Sequence, residues 1–183
     1  MKRAVIVVLL AAALAGGCKK KPQTANVNAA NRVANRLVKL YYESPQMTLV
    51  AEPRNIALPE SPAAAMPTVV RELMKGPAVV AGRPSASMRL FPADTVVRGT
   101  YLLPGGTVVV DLGGTTLTQG WGTGSHQELM AVQSLVQTLS ANFADARRVR
   151  IVVNGTTAET LAGHVSLSRS LTPMPGLVDP RAR

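Results

Sequence analysis

The stretch "SHQELMAVQSLVQTLSANFADARRVRIVVNG", residues 125–155, contains the best-specified helix of this sequence and the strand that follows it. Ser125 and Glu128 have the spacing of a capping box, which predicts that a helix begins here. Apolar residues then recur every three or four positions, which predicts one buried helical face: Leu129, Val132, Val136, Leu139 and Phe143, with Met130 and Leu135 beside them. Alternation in "RRVRIVVNG" predicts a strand that ends at the Asn154-Gly155 turn.

Two hairpins are predicted upstream of this stretch. The segments "LVKLYY" (37–42) and "MTLVAEPRNIAL" (47–58) are extended in pattern and flank a turn that contains Ser44 and Pro45. The segment "TVVRGTYLLPGGTVVVDL" (95–112) has two apolar runs joined by Pro-Gly-Gly, which is the strongest hairpin signal in the chain.

Between the hairpins, "MPTVVRELMKGP" (66–77) predicts a short amphipathic helix with Pro67 in its first turn and Gly76 as its cap. Near the end of the chain, "HVSLSRSL" (164–171) alternates and predicts a last strand. The predicted order is therefore ββαββαββ. This order indicates an α+β fold, a single compact domain in which a mixed or antiparallel β-sheet packs with two amphipathic helices.

The first 18 residues have the features of an export signal. Lys2 and Arg3 precede an uncharged apolar run at 4–14, which is too short to cross a bilayer as a permanent helix. The residues "AGGC" that follow resemble the lipobox of bacterial lipoproteins. That resemblance implies a lipoprotein signal peptide at 1–17, cleavage before Cys18, diacylglycerol on the Cys18 thiol and a lipid anchor at the extracytoplasmic face of a bacterial membrane. Ordinary secretion with a nearby cleavage site and a free reactive thiol are the alternatives.

Composition predicts the domain boundaries. Residues 18–36, "CKKKPQTANVNAANRVANR", have no apolar periodicity and are expected to form a flexible tether behind the acylated cysteine. The folded domain is expected at 37–171. The proline-containing segment "TPMPGLVDPRAR", residues 172–183, is expected to be a disordered tail.

The net charge of +10 invites a nucleic-acid interpretation, but its distribution excludes one. Eight of the 20 basic residues and none of the 10 acidic residues lie within positions 1–40, so the remainder of the chain is nearly neutral. Aromatic residues for base stacking make up only 3% of the sequence. The basicity belongs to the leader and tether.

Several strings resemble the GerMN domain, a family named after the spore germination protein GerM: "VVRELMKGP", "TVVVDLG", "HQELMAVQSLVQTLSANFADARRVRIVVNG" and "GHVSLSRSL". The resemblance spans residues 37–171. It implies an α+β module that occurs mainly on exported bacterial envelope proteins and lipoproteins, is linked to sporulation and germination in spore formers, and is related to modules that assemble into rings. The family has no catalytic motif, so the resemblance implies no catalytic residue, no cofactor and no metal.

A ligand-binding or hydrolytic alternative would use the glycine-rich loop at 120–126. Its three glycines lead into Ser125 and His126 at a helix start, where backbone amides can hold an anion. However, the loop lacks the spacing of a nucleotide-binding motif. Adjacent residues such as Ser125 and His126 do not face each other on a helix, and His164 is the only other histidine. Asp111 is expected to be a turn or cap carboxylate.

The expected function is therefore that of a membrane-anchored, non-enzymatic module that binds envelope proteins or peptidoglycan, or a second copy of itself. Four residues are candidates for the binding surface: Trp121, Arg147, Arg148 and Arg150. Trp121 lies in the glycine-rich loop, where it is either an exposed anchor or a lid on the core. The three arginines are either a basic patch for an acidic partner or a solvated strand edge that discourages unwanted pairing.

Overall fold

Strands and α-helices pack around one core in the part of the chain that the computed structural model describes, residues 32–80, 83–84 and 87–182. The predicted signal peptide, Cys18 and most of the predicted tether lie outside these residues. The elements in chain order are β1 (Val33–Glu43), β2 (Leu49–Pro59), α1 (Pro62–Met74), β3 (Val79–Val80), β4 (Arg83–Pro84), β5 (Val96–Leu103), β6 (Thr107–Gly113), α2 (Thr115–Gln119), α3 (Ser125–Asn142), β7 (Arg148–Val153) and β8 (Thr156–Thr157).

The first predicted hairpin is confirmed, and it is longer than expected. β1 and β2 pair antiparallel from Val33 opposite Pro59 to Glu43 opposite Leu49. Residues 33–36, which were expected to belong to the tether, are therefore part of β1. The composition of residues 33–36 does not predict a strand, because it is their pairing with residues 56–59 of β2 that orders them. The guanidinium of Arg36 also lies 6.0 Å from the centroid of the Phe143 ring.

The second hairpin is also confirmed and forms half of a four-stranded sheet with the order β5-β6-β7-β8. β5 and β6 are antiparallel, β6 and β7 are parallel, and β7 and β8 are antiparallel, so the sheet is mixed as predicted. Gly105 and Gly106 turn the hairpin with φ angles of 86° and 80°, which glycine adopts readily. The inner face of β6 and β7 consists of Val108, Val110, Leu112, Val149 and Ile151.

The predicted last strand at 164–171 is wrong. This segment is irregular, and its contribution to the sheet is one bridge in which Leu171 and Val149 exchange backbone hydrogen bonds of 2.8 and 2.7 Å. The short β8 pairs with the end of β7 instead. Alternation did not predict the structure of this segment because the buried carboxylate of Glu128, in α3, accepts from the backbone N–H of Ala162 and holds the chain there.

Helix α1 begins earlier than predicted. Pro62 occupies its first turn, and Pro67 lies inside the helix, where its missing N–H removes one helical hydrogen bond. The helix continues through Pro67 because its apolar face is fully buried, at Ala65, Met66, Val69, Val70, Leu73 and Met74. Gly76, with a φ of 85°, ends the helix as predicted. Within the described residues, no helix is long and apolar enough to cross a membrane.

Helix α3 covers the predicted residues, but its burial is not limited to one face. It packs against β1, α1 and β7. Five of its predicted apolar residues are buried in the core, namely Met130, Val132, Leu135, Val136 and Leu139, whereas Leu129 is half-buried. Five polar residues are buried as well: Glu128, Gln133, Ser134, Gln137 and Thr138. A polar side chain in the interior needs a hydrogen-bond partner, so these residues require an explanation.

A row of α3 side chains four residues apart supplies hydrogen-bond partners to the edge of β1. The Ser134 hydroxyl donates to the carbonyl of Tyr41 at 2.5 Å, and the Tyr41 N–H donates to Thr138 Oγ1 at 3.0 Å. Asn142 bonds both backbone groups of Lys39, accepting from its N–H at 2.9 Å and donating to its carbonyl at 2.8 Å. Along Lys39 to Tyr41, the helix thus takes the place of a neighbouring strand.

The segment expected to be a disordered tail is also docked on the fold, so that expectation is wrong. Gln133 of α3 donates to the carbonyl of Thr172 and accepts from the N–H of Met174. Val178 is 6% exposed and bridges to Leu49, whose carbonyl accepts from the N–H of Asp179 at 2.9 Å. The prolines of this segment suggested disorder, but contacts with distant residues order it.

Thr138→Val should destabilise the protein by about 1–3 kcal/mol, because the nearly isosteric change leaves the buried N–H of Tyr41 unpaired. Urea unfolding followed by circular dichroism measures the effect. Thr157→Val, at an exposed position of β8, is the control and should change stability by less than about 0.5 kcal/mol. Equal stability of the two variants would contradict a structural role for the Tyr41 hydrogen bond.

Candidate functional site

A cavity of about 160 Å³ lies beside the start of α3. Residues from the end of β1, the loop before β5, the glycine-rich loop and the first turn of α3 line it: Glu43, Met88, Arg89, Leu90, Phe91, Pro92, Trp121, Thr123 and Gln127. The rings of Phe91 and Trp121 stack with their centroids 6.1 Å apart and their planes at 20°. The cavity therefore combines an aromatic wall with one acidic side chain.

The acidic side chain belongs to Glu43, the last residue of β1, which is 2% exposed. Its Oε1 lies 2.6 Å from Nε2 of His126, whose side chain is 48% exposed. The backbone carbonyl of Glu43 accepts from the N–H of Met88 at 2.9 Å, which fixes the loop before β5 next to β1. A buried carboxylate with an exposed histidine partner is an arrangement that recognises hydrogen-bond donors.

The glycine-rich loop places Trp121 in the cavity wall. The short helix α2 ends at Gln119, and Gly120 follows with a φ of 107°, which turns the chain toward the core. Trp121 is half-buried and packs against the core cluster. Thr123 Oγ1 donates to the Gln127 side chain at 2.6 Å, so the loop is tied to α3. The structure thus places Trp121 both over the core and beside the cavity.

The predicted capping box is wrong. The N-cap of α3 is Gly124, and no side-chain hydrogen bond caps the helix. Glu128 is fully buried and accepts instead from the backbone N–H groups of Leu161, Ala162 and His164, at 2.8, 2.9 and 2.8 Å. This carboxylate therefore holds the loop after β8. Ser125 and Glu128 have the spacing of a capping box, but Glu128 has this different structural role.

The pKa of Glu128 reflects these contacts. Burial by itself would raise the pKa, but the backbone N–H groups of Ala162, His164 and Leu161 outweigh it and hold the pKa below its usual value. Nδ1 of His164 also lies 3.2 Å from Oε2 of Glu128. Glu128 is thus an ionised anchor inside the fold at neutral pH.

The structure does not bring the two histidines together. His126 pairs with Glu43 and His164 pairs with Glu128. Among the described residues, no group of three or more histidine, cysteine, aspartate or glutamate side chains could hold a metal ion. Asp111 accepts from the N–H of Gly155 at 2.9 Å and pairs with Arg98 at 3.4 Å, so it is a turn carboxylate as expected.

The three arginines of the predicted basic patch lie at a different place from the cavity. Arg148 and Arg150 are in β7, opposite Thr107 and Val109 of β6, and Arg147 immediately precedes the strand. The N–H groups of Arg147 and Arg148 donate to the carbonyl of Gly106 at 2.9 and 3.2 Å. Trp121 and the arginines are therefore two separate candidate surfaces.

Sequence reasoning missed Glu43 and Phe91 as parts of a site. Glu43 follows the apolar run "LVKLYY", where it reads as the first polar residue of a turn. Its burial depends on contacts with residues 45 and 83 positions away in the chain, Met88 and His126. The one usable signal was the only tryptophan of the chain, placed in a glycine-rich loop.

Comparisons with known proteins place this fold in a family. Residues 39–159 match the family described as "Germane: Sporulation and spore germination". A search of curated protein sequences found no significant match. The match to the family covers about two thirds of the chain.

Three solved structures are similar. The first GerMN domain of the sporulation protein GerM from Bacillus subtilis has a TM-score of 0.54 at 23% identity, covering 75% of this chain and 97% of that domain. The tandem GerMN domains of the same protein give 0.53 at 21% identity, covering 76% of this chain and 46% of the tandem. A candidate lipoprotein from Clostridium perfringens gives 0.53 at 13% identity, covering 80% and 93%. At these identities the likeness shows the shared α+β fold.

Glu128→Gln should destabilise the protein by about 1–3 kcal/mol at pH 7, because an amide accepts the three backbone N–H groups less well than a carboxylate. The wild-type protein should lose this contribution as the pH falls from the unfolded-state pKa, about 4.3, through the lower folded-state pKa. Urea unfolding between pH 7 and pH 3 measures both effects.

The matched control is Glu159→Gln, because Glu159 is exposed in the segment that Glu128 anchors. It should leave both stability and its acid dependence near those of the wild type. If Glu128→Gln and Glu159→Gln have the same stability at every pH, Glu128 is not the anchor of the loop.

Proposed function

The chain belongs to the Germane family, and from this membership we propose that it is a non-catalytic lipoprotein of the bacterial cell envelope. In this proposal, a lipid on Cys18 anchors the protein at the extracytoplasmic face of the membrane. The domain from Val33 onward then binds an envelope protein or peptidoglycan. The single observation that carries the proposal is the family match over residues 39–159.

The anchor is proposed from the leader sequence. Lys2 and Arg3, the apolar run at 4–14 and the small residues before Cys18 are arranged as in a lipoprotein signal peptide. The candidate lipoprotein from Clostridium perfringens shares the fold, which supports the pairing of such a domain with a lipid anchor. Residues 18–31 would form the tether, since β1 starts at Val33.

A binding role fits the chemistry of the described residues better than a hydrolytic role does. Ser125 lies at the start of α3 next to His126, and the hydrogen-bond partner of His126 is the carboxylate of Glu43. The geometry thus gives a serine beside, and not opposite, the imidazole that would have to activate it. The cavity at Glu43 is instead suited to holding a small group.

A role in sporulation or germination is proposed from the description of the family. The solved protein from Bacillus subtilis is a sporulation protein with two such domains in tandem, whereas the structure described here corresponds to one of them. We therefore propose that the binding target is a component of the envelope. A second copy of this chain is one candidate for that target.

Cys18→Ser should release the protein from the membrane fraction or block its processing, because the serine hydroxyl does not accept the lipid that the thiol receives. Fractionation of cells that produce the variant, followed by immunoblotting, measures this. Lys21→Ser, three residues further along, is the control and should stay in the membrane fraction. A Cys18→Ser variant that is correctly cleaved and fully membrane-bound contradicts the proposed anchor.

The binding role predicts that crosslinking of the intact lipoprotein in native envelopes captures an envelope protein, peptidoglycan fragments or a second copy of the chain. Mass spectrometry of the crosslinked species identifies which. The Thr138→Val variant, unfolded by mild heating before crosslinking, is the control for capture by an unfolded chain. Recovery of no species above that control would contradict the binding role.

A further inference from the structure

The cavity beside α3 has the composition of a site for a cationic group on an apolar stem. We propose that it binds a primary alkylammonium group, with the ammonium at Glu43 and the alkyl chain against Trp121 and Met88. This inference rests on the proposed function, because it names the chemical group that the binding domain takes from its partner. The family description names no such site.

The carboxylate of Glu43 is the first reason. It is 2% exposed and lines the cavity, so a cation that enters meets it away from bulk water. An ionised carboxylate has acceptor positions for about four hydrogen bonds, and His126 Nε2 occupies one of them on Oε1. The remaining capacity suits an ammonium group, which has donors only.

Two basic side chains, Arg89 and His126, lie near this carboxylate. Arg89 also lines the cavity, but its guanidinium donates to the backbone carbonyls of Met74 and Lys75 at the end of α1. His126 faces Glu43 from the first turn of α3, and its side chain is 48% exposed, so it covers only part of the carboxylate. Glu43 is therefore the one acidic side chain of the lining that is available to a cationic ligand.

The apolar wall is the second reason. The rings of Phe91 and Trp121 stack on each other and line the cavity, and Met88, Leu90 and Pro92 are the other apolar residues of the lining. Aromatic rings attract cations through their electron-rich faces, and they also pack well against methylene groups. Thr123 and Gln127 add polar groups to the lining. An alkylammonium group has both of the properties that this surface complements.

The size of the cavity limits the ligand. Its volume of about 160 Å³ is close to that of five water molecules in the liquid, which share about 30 Å³ each. A chain of four carbons ending in an ammonium group fills such a space, and this is the end of a lysine side chain.

Two sources in the envelope present this group, a lysine of a partner protein and a free amine on a peptidoglycan stem peptide. They share the ammonium and the alkyl stem and differ in the atoms outside the cavity. A lysine-containing peptide and a soluble muropeptide that carries a lysine therefore serve as second-stage probes. Tighter binding of one of them than of n-butylammonium identifies the source.

The test uses the fluorescence of Trp121, the only tryptophan of the chain, so the signal comes from the cavity itself. The full-length protein in detergent is titrated with n-butylammonium chloride at constant ionic strength, with 1-butanol as the neutral probe of equal size. The expected result is a saturable change in emission with n-butylammonium and no saturable change with 1-butanol. Equal responses to the two probes would overturn the proposal.

Variants test whether Glu43 is the group that binds the ammonium. Glu43→Gln should weaken n-butylammonium binding at least tenfold, while Glu60→Gln, at an exposed position after β2, should leave it unchanged. Undiminished binding by a folded Glu43→Gln variant would overturn the proposal. If Glu43→Gln does not fold, the comparison of n-butylammonium with 1-butanol on the wild-type protein is the test that decides whether the proposal holds. A negative result together with successful crosslinking in envelopes removes this inference and leaves the proposed function standing.

Discussion

The edge of β1 is the constraint on which the rest of the fold depends. β1 pairs with β2 on one side, and on the other side the backbone groups of Lys39 and of the buried Tyr41 would be left without a protein partner. Ser134, Thr138 and Asn142 of α3 supply the missing partners. Because these side chains are spaced by four, they form one row along the helix, and α3 can lie against the strand in only one register.

This docking also determines where the cavity forms. Glu43 follows Tyr41 by two residues, and His126 lies two turns before Ser134 on α3. The hydrogen bonds between the strand and the helix therefore bring the carboxylate to the imidazole at 2.6 Å. The loop that carries Trp121 enters α3 directly and closes over the same place. The candidate site is thus a consequence of the way in which a helix covers a strand edge, which connects the core of this Germane domain to its proposed binding role.

Predictions from the sequence succeeded where local pattern decides the structure. The two hairpins, α3 and the Gly76 cap follow from alternation, apolar spacing and glycine chemistry within short windows. They failed where a distant partner decides. Glu128 has capping-box spacing, but it bonds residues 33 to 36 positions away. The segment after residue 171 contains prolines, but Gln133 and Leu49 hold it. The burial of Glu43 could not be predicted from the sequence for the same reason, since it depends on contacts with other elements.

Hydrogen exchange of the backbone amides of Lys39 and Tyr41 in the wild-type protein tests the central claim most directly. If α3 side chains complete the edge of β1, both amides should exchange only through global unfolding, as slowly as the amides of the buried strand β6. Exchange at the rate of an open strand edge, with β6 still protected, would contradict the claim. It would mean that α3 does not hold the strand and that the position of Glu43 is not set by it.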